Sequence, residues 1–166
     1  MTLFELLIVL AIGALLLTAA TTTTVAWIGR EAARSAVYSI QTQLQLARMQ
    51  AVSRNRVCKF TVDTATRRVQ VVDLNDVSTS TDDVVLSDVT VSAKISFARP
   101  DGSTPVTLYS PGGTLYQATF TSDGAVSQGA GVVSVRGGDG FDQLTLFGAG
   151  GVRLERWNGS AWVSPS

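Results

Sequence analysis

The sequence predicts an α+β fold, with one long N-terminal α-helix followed by a C-terminal β-rich globular domain. Three observations lead there. Residues 6–29 carry no charge and are largely apolar. Apolar residues then recur at three- and four-residue steps as far as residue 52. Beyond Asn55, short β-type runs alternate with turns marked by glycine and proline. The 166 residues suffice for one domain with its own core. Thirteen basic residues balance thirteen acidic ones, which weighs against a uniformly basic nucleic-acid binder. There is no His and one Cys, Cys58, which excludes an intramolecular disulfide, Ser-His-Asp and Cys-His nucleophiles and the usual zinc sets. No enzymatic role, metal or cofactor is expected.

The first element is the charge-free stretch. As a helix it spans about 36 Å, against about 30 Å for a bilayer core. A secretory signal peptide would carry a basic start and a small-residue cleavage site, whereas here Glu5 sits where the positive charge should be. A buried soluble helix would have to hide the twelve apolar residues 6–17 in a small domain. Membrane insertion fits better. Glu5 is then the informative residue, because a carboxylate on an apolar helix is costly unless it is paired. The nearest cation in the sequence is the α-amino group of Met1, so in an array of copies Glu5 of one chain can neutralise the amine of the next. An ordinary interfacial Glu facing headgroups is the plainer alternative.

The run MTLFELLIVLAIG, Met1 to Gly13, resembles the processed N-terminus of type IV pilins and type II secretion pseudopilins, with an apolar first residue, T-L-x-E-L and an apolar run. Met1 stands where that family usually has Phe. The resemblance implies that a prepilin peptidase removes a leader, that the Met1 amine is methylated, and that Met1 and Glu5 pair between neighbours on assembly. It also implies that Phe4, Leu6, Leu10 and Leu17 pack in the helical core of a filament.

The helix is expected to continue to about Arg54, some 80 Å in all. Val25, Ile28, Ala32, Ala33, Ala36, Val37, Ile40, Leu44, Ala47, Ala51 and Val52 form its apolar stripe, and Arg30, Glu31, Arg34, Tyr38, Gln41, Gln45 and Arg48 lie on other faces. Five threonines, Thr18, Thr21, Thr22, Thr23 and Thr24, interrupt it. Their β-branched, hydroxyl-bearing side chains weaken helix locally, so this is the segment expected to melt in a filament. The chain thus divides into a membrane or filament-core half of the helix (1–28), an amphipathic half (29–55) and a β-rich head (56–166).

In the head, 57–63 and 68–73 read as a hairpin. Further strands are expected at 84–86, 89–91, 94–98, 106–109, 115–121, 132–135, 144–147 and 152–156, with a last one at 161–163. Turns are expected at 100–102, 111–113, 122–124, 137–140 and 148–151. Frequent strands without further helices imply antiparallel sheets packed on the upper helix. Three stretches sharpen the resemblance: LQLARMQAVSRN from Leu44 to Asn55, ATFTSDG from Ala118 to Gly124, and LTLFGAGGVR from Leu144 to Arg153. They are similar to segments of GspH/FimT-type proteins, the H-type minor pseudopilin and the FimT minor pilin. Leu44, Ala47, Ala51 and Val52 can face the sheet, leaving Arg48 and Arg54 solvated or bonded to nearby carbonyls.

Charge is unevenly laid out. Residues 1–68 carry a net +5 and residues 69–166 a net −5. The two sets can set register between stacked subunits or pair within one subunit. FimT-type relatives are associated with DNA uptake, and the resemblance offers Arg136, Arg153 and Arg156 as DNA contacts. Asp139 and Glu155 dilute them, and the acidic half repels phosphate, so DNA is not an expected partner. Asp73, Asp76, Asp82, Asp83 and Asp88 surround Ser78 to Thr81 and read as a solvated loop rather than a calcium site, because EF-hand spacing is absent. That loop could carry O-linked sugar, and Asn158-Gly159-Ser160 fits an N-glycan acceptor pattern. Cys58 is expected to be a buried small residue. Trp157 and Trp162 bracket a turn and are expected to close a terminal hairpin, or to form an aromatic contact patch.

The resulting expectation is a structural subunit of a type IV pilus-like filament. It would cross the inner membrane once before assembly and lie afterwards in a cell-surface filament or periplasmic pseudopilus. Its partners would be other copies or pilins, the assembly machinery and the bilayer. A minor pseudopilin of type II secretion and a DNA-binding minor pilin are the alternatives.

Overall fold

The computed structural model describes the backbone at residues 3–75 and 79–164, and the side chains of those residues other than 15–24 and Ser80. The long helix, α1, runs Leu3–Arg54. It stops where Asn55 takes a left-handed conformation with φ of 53°. There the Arg56 amide donates back to the Ala51 carbonyl at 3.1 Å and the Asn55 amide to Val52 at 3.3 Å, a capping pattern that satisfies the last carbonyls. Ala33, Ala36, Val37, Ile40, Leu44, Ala47 and Ala51 are buried, so the stripe read from spacing is the face that meets the head. Two of its members are not on that face: Val25 is 70% exposed and Val52 50%. Val25 lies before the helix meets the head, and Val52 sits at the edge of the interface, half exposed, with its Cγ2 beside the turn at Gly124.

The head consists of two antiparallel sheets on α1. The first contains β1 (Val57–Asp63), β2 (Arg68–Leu74), β3 (Val84–Thr90), β5 (Tyr109–Gly112), β6 (Leu115–Phe120) and β7 (Val126–Gln128). Its order is β3-β2-β1-β6-β5, with β7 also on β6. The second contains β4 (Ile95–Phe97), β8 (Gly131–Gly137), β9 (Gly140–Leu146), β10 (Val152–Trp157) and β11 (Trp162–Val163), in the order β11-β10-β9-β8-β4. Phe60, Val62, Val69, Val71, Ala118 and Phe120 from the first sheet and Val133, Val135, Leu144 and Leu146 from the second join the helix stripe in one core. Several of these side chains, each worth about 1.5–3 kcal/mol when fully buried, come from short alternating strands that could not be stable alone.

Most expected strands are present, with three differences. The runs at 84–86 and 89–91 form one strand, β3, whose pairing with β2 is offset by an irregularity at Val71/Val72. Val106 makes only an isolated bridge to Val133, and the strand after it, β5, continues through Pro111 and Gly112, so the turn falls at Gly113. β5 is an edge strand, where proline removes no needed ladder bond. β7 was not expected, because Val-Ser-Gln carries no alternation long enough to read.

Candidate functional site

The first turns of α1 present large apolar side chains outward. Phe4 is 71% exposed, Leu6 53% and Leu10 63%, and Glu5 lies among them, also exposed. Met1 lies outside the described residues, and so do the side chains of Leu17, Thr18, Thr21, Thr22, Thr23 and Thr24. The backbone at Thr18, Thr21, Thr22, Thr23 and Thr24 is helical in this single chain, so the break expected there is not a feature of the isolated subunit. A helix can keep its i→i−4 bonds through β-branched residues, whose cost per position is only a fraction of a kcal/mol. Among the described residues no helix is long and apolar enough to cross a membrane; the side chains at 15–24, inside the charge-free stretch, are not among them.

Where α1 reaches the head, backbone meets backbone. The tip of the β8–β9 hairpin sits on the helix so closely that a Cβ on Gly29 would lie 2.6 Å from the Gly138 nitrogen, and one on Gly137 would lie 2.1 Å from the Gly29 carbonyl oxygen. Gly138 itself has φ of 61°, a turn conformation that favours glycine. Beside this contact Arg30 pairs with Asp139 at 3.0 Å. An isolated glycine inside a helical pattern was the only signal for this junction.

The three stretches similar to GspH/FimT-type segments converge at the other end of the helix. Arg48 runs beneath two turns: a Cβ on Gly124 would lie 3.1 Å from its Nε, and one on Gly150 3.0 Å from it. The two turns also touch, since a Cβ on Gly150 would lie 2.1 Å from the Gly124 carbonyl oxygen. Arg48 therefore packs its length against glycine backbone, a role that spacing alone did not reveal. Arg54 is likewise engaged: its guanidinium donates to Asp73 at 2.8 Å, whose side chain is only 2% exposed.

The opposite charges of the two halves pair within the chain. Arg30–Asp139, Arg54–Asp73, Lys59–Asp83 and Arg68–Asp88 each join the basic half to the acidic one. The acidic run is thus partly structural, with Asp73 buried and Asp83 and Asp88 in ion pairs, while Asp82 accepts from Asn75 at 3.1 Å. Asp76 and Ser78 lie outside the described residues.

Arg136, Arg153 and Arg156 do not form one basic surface. Arg156 shares the sheet face of Asp142, Leu144 and Leu146 and bonds to Asp142 at 2.8 Å. Arg136 and Arg153 lie on the opposite face. Arg136 stacks on Phe141 and donates to the Gly138 carbonyl; Arg153 stacks on Phe147 and pairs with Glu155 at 3.2 Å.

Cys58 is fully buried, and burial, helped by nearby Asp73, pushes its thiol up to about 11. Asp63 accepts hydrogen bonds from the Thr114 and Thr66 hydroxyls and the Ala65 amide, which lower its carboxyl to about 2. Trp157 and Trp162 face each other across the β10–β11 hairpin, edge to face at 5.4 Å. The Asn158 side-chain Oδ1 accepts from the Ser160 and Ala161 amides and shapes the turn between them.

No curated protein sequence matches the chain. Among solved structures, the type IV minor pilin FimU of Pseudomonas aeruginosa is similar at 16% identity, covering 81% of this chain and 94% of that one, with a TM-score of 0.55. The minor pseudopilin EpsH of the Vibrio cholerae type II secretion system is similar at 20% identity, covering 75% and 95%, with a TM-score of 0.51. These likenesses show the fold: a helical spine carrying a two-sheet head, as in minor pilins and pseudopilins. The profile of the family described as type II transport protein GspH matches residues 36–144, a span that holds most of the amphipathic part of the helix, the junction glycines at Gly137 and Gly138, the whole first sheet and β4, β8 and most of β9 of the second. The chain belongs to the GspH family.

Proposed function

We propose that this chain is a structural subunit of a type IV pilus-like filament that polymerises through its N-terminal helix. The observation that carries the reading is the division of one 52-residue helix. One face of its C-terminal half is buried against the head, while its first turns hold exposed Phe4, Leu6 and Leu10 around an exposed carboxylate. Surface of that kind needs cover, first from lipid and then from the helices of other subunits. In this reading residues 1–28 form the membrane-spanning and filament-core segment, 29–55 the part packed in the head, and 56–166 the head. Glu5 offsets the mature N-terminal amine of a neighbouring copy. The segment holding Thr18, Thr21, Thr22, Thr23 and Thr24 is helical in the free subunit and gives way on assembly. A prepilin peptidase and an inner-membrane assembly machine act on the chain, which has a scaffolding and no enzymatic role.

A second reading, a minor pseudopilin in a periplasmic type II secretion fibre, is favoured by the GspH family match. Copy number separates the two. Filaments sheared from cells and quantified by mass spectrometry should contain this chain as a dominant species if it forms the lattice. A trace amount relative to another pilin would favour the pseudopilin reading, and absence from every fibre would refute both.

A further inference from the structure

At the foot of the head, α1 and the β8–β9 and β10–β11 hairpins enclose a cleft of about 600 Å³. Two indoles, Trp27 and Trp157, line it, together with three guanidinium groups and three carboxylates. Two of the charge pairs are closed: Arg30 with Asp139 at 3.0 Å and Arg156 with Asp142 at 2.8 Å. Among the described residues, the remaining two, Arg34 and Glu31, enter no ion pair, and both are exposed. Arg34 is held in place over the Tyr38 ring at 5.8 Å.

The height of the cleft is set by the helix. Gly29 is the last residue of the charge-free stretch and is buried under the hairpin tip; Trp27, two residues before it, is 62% exposed and faces the cleft. Tryptophan is the residue that settles at the boundary of hydrocarbon and headgroups, and arginine the one that reaches from there to phosphate. We propose that this cleft binds the headgroup of a zwitterionic, amine-bearing phospholipid while the subunit waits in the bilayer. Arg34 takes the phosphate, and Glu31 with the indole faces takes the ammonium. One available cation and one available anion complement such a headgroup, whereas a purely anionic lipid would leave Glu31 opposed to it. The inference rests on the membrane-anchored reading of the first segment.

The test uses the full chain in nanodiscs of equal parts phosphatidylethanolamine and phosphatidylglycerol, with native mass spectrometry counting the lipids that remain bound. Phosphatidylethanolamine should be retained about tenfold over phosphatidylglycerol, the effect of one charge-assisted contact. Glu31→Gln should abolish that preference; Arg34→Gln, which removes the contact to the phosphate that both lipids share, should lower the retention of both severalfold, and Arg34→Lys should restore it. Both sites are exposed, so the fold should survive, and unchanged circular dichroism would verify it. Equal retention of the two lipids by the wild type, a preference unaltered in Glu31→Gln, or undiminished retention of both lipids in Arg34→Gln overturns the proposal. Carbonate extraction from cells separates the two levels. A wild-type chain released as soluble refutes the membrane reading and the site together. A chain retained in the membrane without lipid preference refutes the site alone.

Discussion

Gly137→Ala tests the junction between spine and head. The residue ends β8 opposite Gly140, and its φ is not in the left-handed region, so alanine meets no backbone strain of its own. The whole effect comes from contact. The new methyl would lie 2.1 Å from the Gly29 carbonyl oxygen, 2.8 Å from the Ala33 Cβ and 3.0 Å from the Gly29 carbonyl carbon. A carbon and an oxygen settle more than 3 Å apart, so the hairpin tip must lift by about 1 Å, a radial gap that forfeits a quarter to a half of each contact well. None of the opposing atoms is a flexible side-chain end that could swing away. Overpacking of this kind costs about 1–3 kcal/mol. For a chain of this length that corresponds to a fall in melting temperature of about 2–10 °C. Thermal unfolding of the full chain in detergent, followed by circular dichroism, measures it. Gly148→Ala is the control, because a Cβ there has nothing within 4 Å and the backbone is ordinary; it should stay within about 0.5 kcal/mol of wild type. Equal melting of the two variants would refute the claim that backbone contact at Gly29 seats the head.

Further tests address the charges and the thiol. Arg54→Ala leaves the Asp73 carboxylate buried without its partner and should destabilise the chain by about 1–3 kcal/mol in denaturant titration, whereas Arg68→Ala, at an exposed pair, should shift the midpoint far less. Asp63 titrates near 2 in the folded chain, below its ordinary 3.8, so its contribution is present above about pH 4 and is lost as pH falls toward 2. Asp63→Asn should therefore flatten the stability profile across that window while leaving its shape above pH 5 unchanged. Cys58, buried and with its thiol raised to about 11, should resist alkylation at pH 8 in the native chain and react on unfolding; rapid native labelling would contradict its placement in the core.

The helix and most strands were legible because their signals are local. The stripe from Ala33 to Ala51 has helical spacing, and Val57–Asp63 and Arg68–Leu74 alternate about a short turn. β7 and the extension of β5 through Pro111 were not, since both depend on pairing with β6, a neighbour that local periodicity does not identify. The same limit applies to the site. Glu5 within an apolar run stands out in a single segment, and so does the helix-end motif. That Arg48 lies under Gly124 and Gly150, or that Gly29 meets Gly137 and Gly138, depends on residues more than seventy positions apart. The three arginines grouped near the C-terminus looked like one patch in the sequence. Strand alternation and register place Arg156 on one face of the sheet and Arg153 and Arg136 on the other. The opposing net charges of the two halves admitted pairing within or between subunits, and the register of β2 with β3 and the reach of Arg30 and Arg54 place four such pairs within one.

The central claim is that exposed apolar helix and Glu5 together drive polymerisation. The most direct measurement compares wild type and Glu5→Ala by fractionating cells into membranes and sheared fibres and quantifying the chain in each. The expected result is a variant that reaches the membrane in normal amount and is depleted from fibres. Fibre incorporation equal to wild type would contradict the account.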